Sequence, residues 1–524
     1  MSCRTPSSSN SLHSQTVDPE LEELTRLAEQ LQVEEADLLA QERNITTQLV
    51  QNQTALVQLQ THLSNLQNAR SVALSLPVSI ATRIFVLSLE LSLRGPYTSG
   101  NGRQKMKIPF EHSISHVSKK WREIALGTPS LWTWFNASVS GSADKLKAYL
   151  ARSQDQLLAL RLVSSQKATQ DELVGVWRLL TPHAHRLRSL ILDFSSASQL
   201  MVILSWMSVI PLPHLVHFAI ECPNAYDDTL GSLQWSYVRS FAYFLRDAPS
   251  LQSLELNGIL PQCIPWEIYP INKLRLRLPQ NEFMLSLNLV LPSFASVTNL
   301  TLELYQALDG VSIVLPNLLV LKLVYNRPIS NLSTDHSLFR AFSKLITPNV
   351  KFIDIRCQSG IHAANLFMLM SNSVSQNYHH LQFLSFSYEP SAFVEDRAPL
   401  AYREPGVLDV SNPFEYVEHL AFVNLVDTNA LLAHVFLNPA YNVPRFPRLH
   451  TLTLEGKDLA RDVTFDILTS RNTIGYEIAE LRLSSEFADA EGNEECIEEW
   501  VELGFDIRIF DVQDFMHALD NGAN

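Results

Sequence analysis

The sequence has 524 residues, of which 46% are hydrophobic, 18% are charged and 9% are aromatic. This composition is typical of an ordered globular protein and excludes collagen-like, mucin-like and low-complexity chains. The net charge of −14 comes from the two ends, because residues 1–75 contribute −5 and residues 480–524 contribute −11. The middle of the chain is almost neutral and offers no positive surface, so we expect no nucleic-acid partner.

The cysteines lack the short spacings of a zinc site or a disulfide framework, which favours a reducing compartment; they are Cys3, Cys222, Cys263, Cys357 and Cys496. The N-terminus lacks the apolar segment of a signal peptide. The most apolar run, residues 200–212, is shorter than the roughly 20 residues that a bilayer span requires. We therefore expect no membrane association and a cytoplasmic location, a nuclear location, or both.

Enzyme signatures are missing: the sequence contains no nucleophile elbow, phosphate-binding loop, dinucleotide fingerprint or HExxH motif. His112 and His116 are four residues apart but have no third metal ligand near them in the sequence. We expect no catalytic residue, no metal and no cofactor. Binding is the predicted class of function, and an enzyme with an unfamiliar site is the alternative.

Residues 1–20 are predicted to be a disordered tail, and residues 21–73 a long helix. The stretch from Leu21 to Arg70 has no proline or glycine and is rich in Leu, Glu and Gln. Apolar residues recur at heptad spacing and predict a dimer seam, formed by Ile45, Leu49, Asn52, Leu56, Leu59, Leu63 and Leu66. Glu35 and Glu42 occupy core positions of the same heptads. Two alternatives stay open: a coiled-coil homodimer, or a single helix that is solvated or folds back on its own domain.

Residues 74–135 predict a pair of helices separated by a 26-residue stretch, Ser88 to Ser113. Pro77 marks the start of the first helix. Each helix has an apolar stripe, and the two stripes are expected to bury each other. The first stripe is Ile80, Ile84 and Leu87, and the second is Ile114, Val117, Trp121 and Ile124.

The segments LPVSIATRIF and ISHVSKKWREIALGTPSLWTWF resemble the F-box motif as it occurs in many fungal proteins. The resemblance covers about 60 residues and implies an F-box-like helical domain over residues 74–135. It also implies a partner, the Skp-type adaptor of a cullin-RING ubiquitin ligase. The residues that the resemblance assigns to adaptor binding or its support are Leu76, Pro77, Ile80, Ile84, Phe85, Ile114, Val117, Trp121, Leu131 and Trp132.

A short apolar pattern returns twelve times after residue 150, with apolar residues at its first, fourth and sixth positions. Alternation at the end of the pattern predicts a half-buried strand. The copies begin at Leu157, Leu187, Leu215, Leu251, Ile271, Val297, Leu318, Val350, Leu381, Val417, Leu449 and Ile478. Segments between the copies fit returning helices, among them Tyr237 to Arg246, Asn365 to Ser373 and Thr428 to Leu437.

Stacking these units side by side makes one continuous core of parallel strands with helices behind, which resembles an irregular leucine-rich-repeat solenoid. The fold class is thus α/β, with the solenoid over residues 150–512 and a tail over residues 513–524. A doubly wound α/β domain is the alternative, but it requires helices too regular for the shortest intervals. The acidic C-terminal part predicts a cap, with a helix over residues 494–500, a stop at Gly504 and a strand that reaches Phe510.

In the F-box family, the box binds the adaptor and C-terminal repeats capture the substrate. The resemblance therefore implies a substrate-recognition subunit of an SCF-type ligase, with no catalytic residue of its own and a protein substrate that the sequence does not identify. The alternative is a scaffold that works without the ligase, in which the long helix dimerises the chain and the repeats bind a partner. Adaptor binding discriminates between the two.

Overall fold

In a computed structural model of the chain, the structure describes residues 19–69, 75–94, 109–222, 248–258, 271–277, 295–304, 313–325, 345–357, 378–388, 414–423, 432, 436, 446–455, 459, 461–489 and 493–521. The chain divides into two compact units, one of residues 1–88 and 106–125 and the other of residues 89–105 and 126–524. Of the predicted returning helices, 237–246 and 365–373 lie outside the described residues, as does most of 428–437.

The first unit is helical. Its helices are α1 (Pro19–Ala69), the greater part of α2 (Val78–Arg94), α3 (Phe110–Ser115) and α4 (Lys119–Leu126), which runs to the boundary of the unit. Helix α1 has 51 residues, and each of its side chains whose burial is described is exposed to solvent. The long helix therefore does not fold back on the other helices of this unit.

The second unit contains the parallel sheet, and its described part includes two 3-10 helices, Pro129–Trp132 and Thr181–Arg186. The described helices of this unit are α5 (Ala143–Arg152), α6 (Gln170–Leu180), α7 (Ala197–Met207), α8 (Arg461–Thr473), α9 (Ser485–Ala488), α10 (Asn493–Glu502) and α11 (Val512–Asn521). Helix α6 begins at a capping box in which Thr169 and Glu172 satisfy each other's backbone N–H groups.

Sixteen strands are present in the described part of the unit: β1 (Trp134–Ser138), β2 (Leu158–Ser164), β3 (Leu187–Phe194), β4 (His217–Glu221), β5 (Ser253–Asn257), β6 (Lys273–Arg277), β7 (Asn299–Leu304), β8 (Ile313–Val314), β9 (Val320–Tyr325), β10 (Leu345–Ile346), β11 (Phe352–Cys357), β12 (Phe383–Tyr388), β13 (His419–Val423), β14 (Thr451–Leu454), β15 (Glu480–Ser484) and β16 (Asp506–Phe510). Fourteen of them form one sheet, and β8 pairs with β10 apart from it.

The fourteen strands are parallel and follow one another across the sheet in chain order. All twelve copies of the sequence pattern are strands of this sheet, and most of those strands begin two residues after the first apolar residue of the copy. The order never reverses, whereas a doubly wound domain has a switch point at which it does. The predicted α/β class with parallel strands is thus confirmed.

The register explains why the pattern repeats. Leu300 of β7 lies beside Leu321 of β9, which lies beside Ile353 of β11, and all three are buried. The other two apolar positions of each copy extend the same core, so each strand covers the apolar side chains of its neighbours. Full burial of one such side chain stabilises the fold by about 1.5–3 kcal/mol.

The C-terminal part follows the predicted order of helix, glycine and strand. Helix α10 ends before Gly504, whose φ of +95° is one that residues with a side chain rarely adopt, and β16 then joins the sheet beside β15. Residues 513–521, expected to be a tail, instead belong to helix α11. Among the helices that the structure describes, none is long and apolar enough to cross a membrane.

Candidate partner-binding surfaces

The start of α2 is fixed by backbone and lysine hydrogen bonds. The Pro77 carbonyl accepts from the backbone N–H groups of Ile80 and Ala81 at 3.1 and 3.0 Å. The Lys120 Nζ donates to the Leu76 carbonyl at 3.2 Å, so the first turn of α4 lies beside the chain that enters α2. A proline at the start of the helix loses no helical hydrogen bond, because the N–H groups there have no partner within the helix in any case.

Helix α4 is capped and packed through its first turn. The Ser118 side chain accepts from the Trp121 backbone N–H at 3.1 Å, which is the bond of an N-cap serine. The Trp121 ring lies edge-to-face against Phe85 of α2, with ring centroids 4.9 Å apart. The two helices are thus joined through Phe85, which is buried together with Ala81 one turn before it.

The predicted apolar stripe of α2 is not the face that packs. Ile80, Ile84 and Leu87 are 48%, 45% and 40% exposed, respectively, so the expectation that this stripe is buried by the second helix is wrong. At 100° per residue, the stripe lies about 130° around the helix from the buried face. Helix α2 therefore has two apolar faces, and the residues that the structure describes cover only one of them. Val117, in the turn before α4, is also exposed.

The remaining residues assigned to the adaptor site divide between the two units. In the first unit, Pro77 is exposed, Leu76 and Trp121 are half-buried, and Ile114 is buried. In the second unit, Leu131 and Trp132 are fully buried.

Trp132 serves the core of the sheet unit. Its ring lies edge-to-face on Tyr149 at 5.2 Å, and the Arg152 guanidinium lies over it at 4.3 Å. Both partners come from α5, which follows β1 in the chain. A tryptophan enclosed on both sides in this way acts as a packing residue for the start of the sheet.

The heptad seam of α1 is exposed along its whole length, including Ile45, Leu49, Asn52, Leu56, Leu59, Leu63 and Leu66. Charge divides the helix in two. Residues 19–43 contain eight acidic and two basic side chains, whereas residues 44–69 contain no Asp, Glu, Lys or Arg. The uncharged half is the one whose seam is apolar at every position except Asn52.

The side of the sheet opposite the aligned leucines, called the outer face below, has clusters of ion pairs that cross several strands. In the first cluster, the Arg161 guanidinium of β2 binds Asp193 of β3 and Glu221 of β4, each at 2.8 Å. The in-register parallel ladder places these side chains in neighbouring rows. One arginine thereby bridges three strands.

Two more clusters lie further along the same face. Glu303 of β7 binds Arg275 and Arg277 of β6, the latter at 3.2 Å. Near the end of the sheet, Glu480 binds Arg482 at 3.1 Å and Arg508 at 2.9 Å. Arg508 is 62% exposed in its side chain, so this last cluster is open to a partner.

The surroundings shift the pKa values of Glu221 and Glu480 in opposite directions. Burial raises the pKa of Glu221, and the positive charge of Arg161 offsets only part of that rise. Burial also acts to raise the pKa of Glu480, but the hydrogen bond and charge of Arg482, together with the charge of Arg508, lower it below its usual value.

Aromatic and histidine side chains line the first row of the outer face. Phe352 stacks on Phe383 at 4.4 Å, and Phe383 stacks on His419 at 5.9 Å. His217 lies in the same row, where its Nδ1 is 3.1 Å from the Ser253 hydroxyl. Burial lowers the pKa of both histidines, which favours their neutral forms.

The outer-face residues were missed by the sequence analysis, which attended to the apolar positions of each copy. A signal was available, because in each strand the residues between the aligned leucines must point to the opposite face. Arginine or glutamate occupies the middle outer position in β2, β5, β6, β15 and β16. Which of these residues meet depends on the register, which the sequence does not display.

No group of three or more metal-ligating side chains occurs among the described residues. Comparison of the chain with known protein-family models and with the curated proteins found no match.

Proposed function

We propose that the chain is the substrate-recognition subunit of a cullin-RING ubiquitin ligase. In this proposal the helical unit is an F-box-like domain that binds a Skp-type adaptor, and the sheet unit is a leucine-rich-repeat-like solenoid that binds a protein substrate. The observation that carries the proposal is the second, uncovered apolar face of α2, formed by Ile80, Ile84 and Leu87. Ligases of this class act in the cytoplasm and the nucleus.

An uncovered apolar helix face supports adaptor binding on physical grounds. The helix is already anchored by Ala81 and Phe85, so the exposed residues are not needed for its own packing. Contiguous apolar surface on a folded domain marks interaction sites more often than isolated exposed residues do. A helical partner that covers Ile80 and Ile84 removes apolar area from water at about 25 cal/mol per Å².

The sheet unit supports the second half of the proposal. Strands that follow one another in chain order, each burying the leucines of its neighbours, form the kind of array that extends a single surface over many repeats. The outer face presents ionic, aromatic and histidine side chains in rows. Such a surface suits a large protein partner rather than a small molecule.

Proximity is the mechanism that follows. A substrate held on the sheet unit, while the helical unit is fixed to the ligase, meets the ubiquitin-charged enzyme at a high effective concentration. The chain needs no general acid, general base or nucleophile for this task. Its contribution to the rate is the orientation of a substrate lysine.

Co-purification with the adaptor tests the proposal. The double variant Ile80→Glu/Ile84→Glu places two charges on the exposed face and leaves Phe85 and Ala81 untouched. The control for an added surface charge is Val209→Glu, at an apolar residue of the sheet unit that is 78% exposed. We expect the unmutated chain and the control to retain the adaptor and the double variant to lose it, with all three folded by circular dichroism.

Retention by the double variant, or no retention by the unmutated chain, would overturn the ligase proposal. The alternative is then a ligase-independent scaffold, and one observation favours it directly. The apolar seam of α1 is exposed from Ile45 to Leu66 in the single chain, so a second copy is its natural partner. A homodimer through this helix is compatible with either function.

A further inference from the structure

The C-terminal helix α11 ends on the middle of the outer face. The Lys322 Nζ of β9 donates to the main-chain carbonyl of Leu519, in the last turn of α11. Lys322 is 8% exposed and Leu519 is 2% exposed, so both residues are enclosed. The contact joins positions 197 residues apart and places the last turn of α11 at a strand in the interior of the sheet.

The distance that α11 must cover implies a bent sheet. Six strand spacings of about 4.8 Å separate β16 from β9, or about 29 Å along the sheet. A ten-residue helix spans only about 15 Å. The short link from Phe510 to α11 and the lysine side chain can cover the remaining distance only if the link, the helix and the side chain lie end to end. A helix that rests on top of the sheet reaches Lys322 because the sheet curves toward it, which makes the outer face concave.

The chemistry of the contact is that of a helix terminus bound by a cation. The last carbonyls of a helix have no partner within the helix and carry its partial negative charge. A lysine ammonium donates a hydrogen bond to such a carbonyl and offsets the partial negative charge. The outer position of β11 beside Lys322 is Asp354, which is fully buried and bonded to Arg356 at 2.8 Å.

Some polar atoms next to this contact can accept or donate further hydrogen bonds. The Oδ1 of Asp354 and the hydroxyls of Ser385 and Ser387 on β12 are buried, with no hydrogen-bond partner among the residues that the structure describes. A buried polar atom without a partner costs about 1–3 kcal/mol. These atoms stay without a described partner while α11 is in place, so an external helix that bonds to them gains hydrogen bonds that α11 does not make.

We infer that the outer face at β9, β11 and β12 is a binding surface for an amphipathic helix, and that α11 is the ligand that occupies it in the free chain. The partner of this surface has a leucine near its C-terminal end and free carbonyl groups over Lys322. An external helix binds only by displacing α11. The inference concerns the sheet unit alone and holds whether or not the helical unit binds an adaptor.

Amine labelling of the full chain tests the inference, because the reagent reports directly on Lys322. The variant Leu519→Asp puts a charge where the helix is buried, and Leu503→Asp makes the same change at a leucine that is 53% exposed. We expect Leu519→Asp to raise the labelling rate of Lys322 by about tenfold or more. Leu503→Asp should leave that rate unchanged, and the exposed Lys273 should label equally in every variant.

A second variant covers the case in which Leu519→Asp unfolds the unit. Lys322→Met nearly keeps the side-chain volume and removes the hydrogen-bond donor together with its charge, and hydrogen exchange of the 512–521 amides measures the docking of α11. We expect exchange there to quicken about fivefold while α8 is unaffected. Rapid labelling of Lys322 in the unmutated chain would overturn the inference, as would unchanged exchange in Lys322→Met. Added peptide 509–524 should restore the protection of Lys322 in Leu519→Asp.

Discussion

Two regions of this molecule repeat leucine at regular positions, and they use it in opposite ways. In α1 the leucines recur every seven residues and are exposed, Leu59 by as much as 66%. In the sheet unit the leucines recur at 20 to 36 residues, and the aligned ones, such as Leu321, are buried completely. Each region repeats a unit that cannot bury its own apolar face.

The difference is where the neighbour comes from. A strand of the sheet finds the next copy in the same chain, so the core is completed within one molecule. A heptad helix needs a second helix, and the described part of the chain brings none against α1. The repeats within the chain thus stabilise the fold, whereas the apolar seam of the heptads stays exposed in the single chain.

Truncation of one leucine in each region is the strongest test of this contrast. Leu321→Ala opens a cavity in the middle of the sheet and should lower the free energy of unfolding by about 2–5 kcal/mol. Leu56→Ala should leave that free energy unchanged at concentrations too low for association. Urea unfolding followed by circular dichroism measures both, and equal losses would contradict the contrast.

Charges on the seam should abolish self-association. Leu56→Asp/Leu63→Asp places carboxylates at the interface of a dimer and should weaken association by about a hundredfold or more. Val50→Asp/Val57→Asp adds the same charges to the same helix away from the seam, at residues that are equally exposed. Sedimentation analysis should show a dimer for the unmutated chain and for this control. A monomer in all three samples would show that the seam has no partner.

Removal of the carboxylates of Glu35 and Glu42 from the heptad core should strengthen dimerisation. Glu35→Leu/Glu42→Leu extends the apolar seam into the acidic half and should strengthen the dimer by about tenfold. Glu22→Leu/Glu29→Leu, which removes two charges outside the seam, is the control for the change in charge. The concentration at which dimer and monomer are equal is the quantity to compare, and the same increase in both variants would assign the effect to net charge.

The pH dependence of stability should reveal the half-buried His217 of the outer face. Burial lowers the pKa of His217, so the unfolded chain binds the proton more readily than the folded one does. Stability is then full above the unfolded value of about 6.5 and falls as the pH drops below it. His217→Gln should flatten this decline, whereas His214→Gln, at an exposed histidine, should not. Thermal melts between pH 8 and pH 5 measure the difference.

The ion pairs of Glu480 should give the smallest effect. Arginine neighbours hold the pKa of this carboxyl below its usual value against the effect of burial, so its stabilisation is present above the unfolded pKa and is lost as the pH falls through the lower folded one. Glu480→Gln should cost about 1 kcal/mol at pH 7 and nothing once the carboxyl is protonated. A loss that is the same at both pH values would assign the effect to packing.

Much of the sheet could be predicted because its signal is local. In each copy of the pattern, from Leu157 to Ile478, the alternation of apolar and other residues predicts a strand, and all twelve strands are present. The buried face of α2 in the helical unit was harder to predict, since Ile84 and Phe85 are adjacent and both apolar. Sequence periodicity shows that a helix has apolar faces, but which one is buried depends on the partner helix, here through Trp121.

The sequence by itself determined the α/β class, the long helix and the strands, because these depend on periodicity and on residues that favour or end a helix. Only the tertiary structure decided which side chains meet. It brought Arg161 to Glu221 across three strands, left Ile80 uncovered, and laid α11 across Lys322. Those contacts join residues 60 and 197 positions apart. They depend on strand register and on the path of the chain, neither of which any short segment encodes.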